Sequence, residues 1–279
     1  MFTLVGIELY KIFKKWRSYI GFIAITILIV IVELAIKMEG QRSINFMTRD
    51  LQQSFIFVGS LLNSYFVSYL ILNSLAIHIP FLITLVTGDL LAGEATAGTY
   101  RLLVTRPISR FTIVTSKFLA GIFYTFLLIL WLSIMSLGLG TIIFGTGELL
   151  VAGSNGIVIL ASNDVIWRFL LAYLFAVLSM GVVASLAFLF SALVENAIGP
   201  IITTMAIIII FIIISAINVS VFQSIKPFLF TNYMNDWRSF FNSPMDTAEI
   251  IKSTVILSAH IVVLYGAALF IFQRKDILT

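Results

Sequence analysis

The chain has 279 residues, of which 60% are hydrophobic and 11% charged, with a mean hydropathy of +1.10 and a formal charge of +4. A soluble domain carries about 25% charged residues, so this composition cannot cover a water-facing surface and describes an integral membrane protein. Cysteine is absent, which excludes disulfides, thiolate metal sites and a cysteine nucleophile. The basic residues sit at the ends of apolar runs, where they orient spans and do not build a nucleic-acid groove.

Placed on a helix, Phe2, Val5, Leu9, Ile12, Phe13 and Trp16 share one face, with Glu8, Lys11 and Lys15 opposite; Leu4 and Ile7 spoil the polar side. A basic amphipathic helix of this kind, over residues 1–17, is expected to lie flat in the headgroup layer before the first span. No small-residue cleavage site follows it, so a removable signal peptide is not expected.

About 20 apolar residues cross the hydrocarbon core, and the charge-poor stretches predict six transmembrane helices. The first is Tyr19–Ile36 and the second Leu62–Val86. The others lie between Lys117 and Glu148, Arg168 and Glu195, Asn196 and Asn218, and Lys252 and Arg274. The run "AIIIIFIIISAI" in the fifth reads as helix because only helices and closed barrels satisfy the backbone in lipid. Six spans put both termini on one side. With that side inside, the inner segments carry Lys11, Lys14, Lys15, Arg17, Arg101, Arg106, Arg110, Lys117, Arg274 and Lys275, a modest excess over the outer ones. The expected fold is therefore an all-α integral membrane protein, N-in and C-in. With no internal repeat or low-complexity linker, residues 1–279 form a single domain.

Inside the spans, Glu33 and Lys37 are spaced for a local ion pair. Ser64, Ser68 and His78 fall on one face of the second span, with Asn73 and Thr84 roughly opposite and Pro80 expected to kink the helix. Asn73, His78 and His260 are candidate intramembrane polar contacts, for a relay, a substrate or simple interhelical hydrogen bonding. Gly138, Gly140, Gly181, Ala184 and Ser185 offer close helix packing. Residues 219–251 hold Phe222, Phe228, Phe230, Tyr233, Trp237, Phe240 and Phe241, which suit a half-buried cap at the outer interface.

The most polar segment is the loop over residues 88–112. "AGEATAGTYRLLVT" offers a short helix in which Gly93 and Gly98 break regularity; Pro107 ends it and Ser109 is a natural cap for the next helix. Arg101, Arg106 and Arg110 add positive charge. Either the loop is solvated and obeys the positive-inside rule, or it docks another protein.

At "GEATAGTYRLLVTRPISRFTIVTSK" the sequence resembles the ABC type-2 transporter permeases, the membrane subunits of one class of ATP-binding-cassette transporter. The matching positions are Glu94, Gly98, Thr99, Pro107, Ser109, Arg110 and Lys117. The likeness extends to the entry helix with Glu8, the six spans, the long segment before the last span and the terminal "FQRKDIL". It implies a lateral elbow helix at residues 2–17 with Glu8, Lys11 and Trp16. It also implies a cytoplasmic coupling helix near residues 94–105, with Arg101 and Arg106 among the ATPase-coupling residues, and a smaller turn near residues 194–199. The expected assembly is a homodimer of permeases with two ABC ATPase subunits, in a bacterial plasma (inner) membrane. No phosphate loop is present in the sequence, so this chain is not expected to be an enzyme. It should hold no cofactor, ATP and Mg being bound by the partner. Three function classes follow: an ATP-driven exporter permease, a mechanotransmitter of the same fold acting on an extracytoplasmic partner, and a secondary transporter.

Overall fold

A computed structural model describes residues 1–47, 61–75, 77–100, 107–153 and 156–275. Among the described residues five helices are long and apolar enough to cross a membrane. They are α2 (Arg17–Met47), α6 (Arg110–Phe144), α7 (Ser162–Leu193), α8 (Gly199–Ala216) and α9 (Thr247–Arg274). A bent pair, α3 (Ser64–Leu75) and α4 (His78–Thr87), makes a sixth crossing when counted as one span. Two shorter helices, α1 (Phe2–Lys14) and α5 (Asp89–Thr96), flank these.

The second span is broken just before Pro80, where a kink was expected, and the two parts meet at 60°. Pro80 has no N–H and its ring collides with the carbonyl four residues earlier. The new helix accordingly starts at His78, which puts Pro80 in the first turn, where proline is tolerated. The break cancels the face shared by Ser64, Ser68 and His78. Ser64 and Ser68 are buried while His78 is exposed, its Nδ1 3.2 Å from the Ser74 carbonyl.

Helix α7 forms the centre of the bundle. Its most apolar window is 72% buried, against 17–28% in the other four long helices, whose outward faces are left for lipid. Gly181 lets α9 approach, since a methyl there would stand 3.1 Å from Ile261 Cδ1, whereas a methyl on Gly138 would meet nothing within 4 Å.

One end of the bundle is capped by a β-hairpin and by the segment before α9. Strands β1 (Leu149–Gly153) and β2 (Gly156–Leu160) pair antiparallel, Leu149 opposite Leu160 and Gly153 opposite Gly156. This hairpin departs from a purely helical reading. It is stitched to α3 by Asn63, whose Nδ2 donates to the Glu148 carbonyl at 2.6 Å.

The segment before α9 runs through a helical turn at Ser220–Gln223 and 3-10 turns at Lys226–Phe228, Phe230–Asn232 and Asp236–Phe241. Phe230, Trp237, Phe240 and Phe241 are buried while Phe228 is exposed, in keeping with a half-buried cap. Phe241 packs edge-on to Tyr69 at 5.3 Å and Phe169 at 4.8 Å.

Arg168 of α7 is the polar clamp of this cap. It pairs with Asp164 and donates from Nη1 to the carbonyls of Phe240 (2.7 Å) and Asn242 (2.9 Å). Replacing it, as in Arg168→Met, strands two carbonyls, each worth about 1–3 kcal/mol when buried and unmade. The variant should unfold at lower temperature in detergent and should be cut sooner by protease within residues 219–246. Unchanged cleavage would show that the aromatic contacts alone hold the cap.

Candidate functional site: a buried charge cluster

The charged groups gather at the opposite end of the bundle, and Lys117 is their centre. It lies in the second turn of α6 and is 1% exposed. An ammonium taken out of water costs several kcal/mol unless it is paired and fully hydrogen-bonded. Lys117 Nζ meets Glu8 Oε2 of α1 at 2.7 Å and Glu94 Oε1 of α5 at 2.9 Å. Lys11 closes the square, 2.9 Å from Glu8 and 3.0 Å from Glu94. Two cations and two anions thus neutralise each other.

A second ion set lies one turn away. Asp89, in the first turn of α5, receives Lys15 at 2.8 Å and also Arg17. A carboxylate there favours the helix N-terminus as well. Gly93 makes room for it, since a methyl on Gly93 would fall 2.3 Å from Asp89 Oδ1.

This arrangement sets which side of α1 meets the protein. That side carries Glu8 together with apolar residues: Glu8 and Ile12 are buried and Val5, Leu9 and Phe13 pack on the core, whereas Phe2 and Trp16 are 90% and 74% exposed. Lys117, Glu94 and Asp89 draw that side inward. The outward side carries Phe2, Ile7, Tyr10 and Trp16, which lipid suits.

The turn after α5 explains why Gly98 and Thr99 follow Glu94 at that spacing. Gly98 has φ +65°, a left-handed conformation that glycine adopts freely and that commonly ends a helix. It sends the chain back, so that the Thr99 amide reaches the Glu94 carbonyl at 3.0 Å and its hydroxyl reaches the Glu94 carboxylate. Ser191 of α7 accepts from the Leu91 and Ala92 amides at 3.0 and 2.8 Å, satisfying donors that the first turn of α5 leaves open. Thr96 donates to the Glu195 carbonyl at 2.8 Å, in the expected small turn between α7 and α8. Helix α5 spans residues 89–96; of the expected coupling helix near residues 94–105, residues 101–105 lie outside the described residues, as do Arg101 and Arg106.

The other expected site residues are placed as follows. Ser109 caps α6, accepting from the Thr112 amide, and Pro107 is exposed beside it. Arg110 Nη1 donates to the carbonyls of Gln273 and Lys275 at 3.0 and 2.8 Å, so it closes the C-terminal end of α9 and does not stand free in solvent. Asn73 and His260 both serve the capped end of the bundle. Asn73 accepts from Arg238, and His260 Nε2 lies 3.2 Å from the Phe228 carbonyl. Asn73, His78 and His260 are thus not brought together. Asp89 and Ser191 were missed. The available signal was Asp89 itself, an acid placed to open a helix between two greasy runs.

The crevice among these charges holds about 20 Å³, enough for one water and no larger ligand. The cluster therefore joins α1, α5 and α6.

Residues 21–278 match a family described as "protein of unknown function (DUF2705)". The chain belongs to that family. It is also 30% identical over 205 residues to the uncharacterized protein YhcI of Bacillus subtilis (strain 168), a match covering 69% of this chain and 63% of that relative. The DUF2705 match takes in Asp89, Glu94 and Lys117, while Glu8 and Lys11 precede it.

The cluster fixes two outcomes for this DUF2705 member. Lys117→Met leaves the Glu8 and Glu94 carboxylates sharing Lys11 alone, and breaking a buried pair costs about 3–5 kcal/mol. Lys117→Met with Glu94→Gln leaves the Glu8–Lys11 pair balanced and should be more stable than the single variant, by thermal unfolding. Simple additivity of the two losses would mean that the charges are not coupled.

Acid should act through Glu94. Burial alone would raise its pKa. The charge of Lys117 and hydrogen bonds from Thr99, Lys117 and Lys11 prevail and hold it at about 2, against an ordinary 4.5. A lowered folded-state value gives stability that is complete above 4.5 and is lost as pH falls from there toward about 2. Lys11 has the opposite sense. Burial lowers its value, but Glu8 and Glu94 outweigh burial and raise it above 10.5, so its contribution is complete below 10.5 and lost in stronger alkali. In a melting series against pH, Glu94→Gln should flatten the acid-side decline and leave the neutral plateau's shape unchanged. An identical acid limb in both proteins would contradict this.

Proposed function

We propose that this chain is the membrane-spanning permease subunit of an ATP-driven exporter of the ABC type-2 kind, working as a pair with two separate ATPase subunits in a bacterial plasma membrane. The observation that carries the reading is the mechanical junction at α5. That short helix is bound to α1 through Lys11 and Lys15, to α6 through Lys117, and to α7 through Ser191. A push on α5 therefore reaches three helices at once, as a rigid-body switching mechanism requires. The resemblance carried by Glu94, Gly98, Thr99, Pro107, Ser109, Arg110 and Lys117 supports the same assignment, and the excess of basic residues puts this end in the cytoplasm.

A second reading rests on the outer cap. Arg168 and Phe241 bind it to α7, so movement of α7 would be passed to whatever the cap touches. This suits a mechanotransmitter with an extracytoplasmic partner.

The deciding experiment is purification of the tagged chain alone and from native membranes. The isolated chain should show no saturable ATP binding, because the sequence contains no phosphate cradle. ATP turnover should co-purify only from native membranes. Saturable binding of ATP by the isolated chain would sink the exporter reading. A stoichiometric outer protein, with no solute flux in vesicles, would favour the mechanotransmitter.

A further inference from the structure

Glu33 does not form the ion pair with Lys37 that its spacing suggests. Its side chain points into the bundle and is 0% exposed, and neither carboxyl oxygen has a hydrogen-bond partner. Lys37, one turn further, is exposed. The Ser64 hydroxyl is also fully buried and without a partner. The two groups border one small space: a methyl placed on Gly140 of α6 would stand 3.5 Å from Glu33 Oε1 and 3.5 Å from Ser64 Cβ. The space is thus the size of a methyl group or a water molecule.

The elements packed against α2 bring no cation to this place among the described residues. Helix α6 carries Arg110, Lys117 and Tyr124, and all three are engaged elsewhere: with the end of α9, with the charge cluster and with the Ser18 carbonyl. Helix α3 offers Tyr65 and Tyr69, which pack on aromatic rings, and α4 offers His78, which is exposed. The charged groups of α1 lie at the other end, with Arg17 about 24 Å away along the helix axis. Glu39 and Glu148 are exposed.

We propose that Glu33 is an intramembrane proton-binding site, walled by Ser64 and Gly140, which holds its proton while α2 is packed on α3 and α6. An ionised carboxylate with neither donor nor cation is untenable in an apolar interior, and such a group neutralises instead. A hard metal cation is a poorer fit, because calcium gathers about six to eight oxygens, whereas Glu33 and Ser64 supply three. A proton needs one. Parting of α2 from α6 would wet the carboxyl and release the proton, so the pH at that end of the bundle biases the packing of α2. This goes beyond the exporter reading and does not depend on it.

The test uses the full chain reconstituted in lipid vesicles and treated with dicyclohexylcarbodiimide. This apolar reagent adds a protonated carboxylic acid across a C=N bond, and an acyl shift then leaves a stable N-acylurea with no leaving group. Peptide mass spectrometry should find the label on Glu33, falling about tenfold for each pH unit above the midpoint. Sodium chloride at fixed pH should not protect. Glu33→Gln, whose amide has the shape of the neutral acid, should melt at the wild-type temperature and leave that peptide unlabelled. No label at Glu33, a label indifferent to pH, protection by sodium, or a lowered melting temperature in Glu33→Gln would each overturn the proposal.

Discussion

The end of the bundle that carries α1 and α5 is organised around one requirement, that the ammonium of Lys117 be buried and still be neutralised. Its helix offers nothing for the purpose, because the rest of α6 beyond Arg110 is uncharged. The partners must come from other elements, and Glu8 and Glu94 supply them from opposite directions. Once these are fixed, the face that α1 turns inward and the height of α5 against the bundle are fixed too. Lys11 balances the second negative charge, so the cluster is buried without leaving a net charge in low dielectric.

The two ends of the bundle are held by different physics. The charged end depends on ion pairs whose strength is governed by pH. The capped end depends on aromatic edges around Phe241 and on the Arg168 clamp to backbone carbonyls. Helix α7 runs between them, the most enclosed of the long helices, bonded to α5 at Ser191 and to the cap at Arg168. On the proposed exporter reading this helix carries displacement from one end to the other. On the mechanotransmitter reading the same bonds carry it further, to a partner.

Much of the fold was legible because charge-poor runs of membrane length have few alternatives. The long helices fall where those runs do, and Ser109 caps α6 as its residue type suggests. Glu8, Glu94, Gly98, Thr99 and Lys117 were singled out from the sequence, but their mutual contacts were not readable. Periodicity says which residues share a face of α1; it does not say which face turns inward, and that is decided by Lys117, in a distant helix. The break before Pro80 was displaced by three residues because proline disrupts the turn that precedes it. Glu33 misled for a similar reason. An i,i+4 spacing permits a pair, but α2 turns Glu33 toward Gly140 while Lys37 stays outside. The start of α5 was missed because Asp89 is flanked by apolar residues that continue the pattern of the preceding span.

The spacing of the Glu8–Lys117 pair in the chain also bears on how the protein is made. Glu8 and Lys117 are 109 residues apart, and Glu94 precedes Lys117 by only 23. During synthesis the entry helix must wait for two spans to be laid down before its long-range partner exists, with Lys11 as a local stand-in at i+3. Lys117, by contrast, emerges when both of its carboxylates are already in place. The lysine that is hardest to bury is thus the last of the four to arrive, and its entry closes the junction among α1, α5 and α6 in a single step.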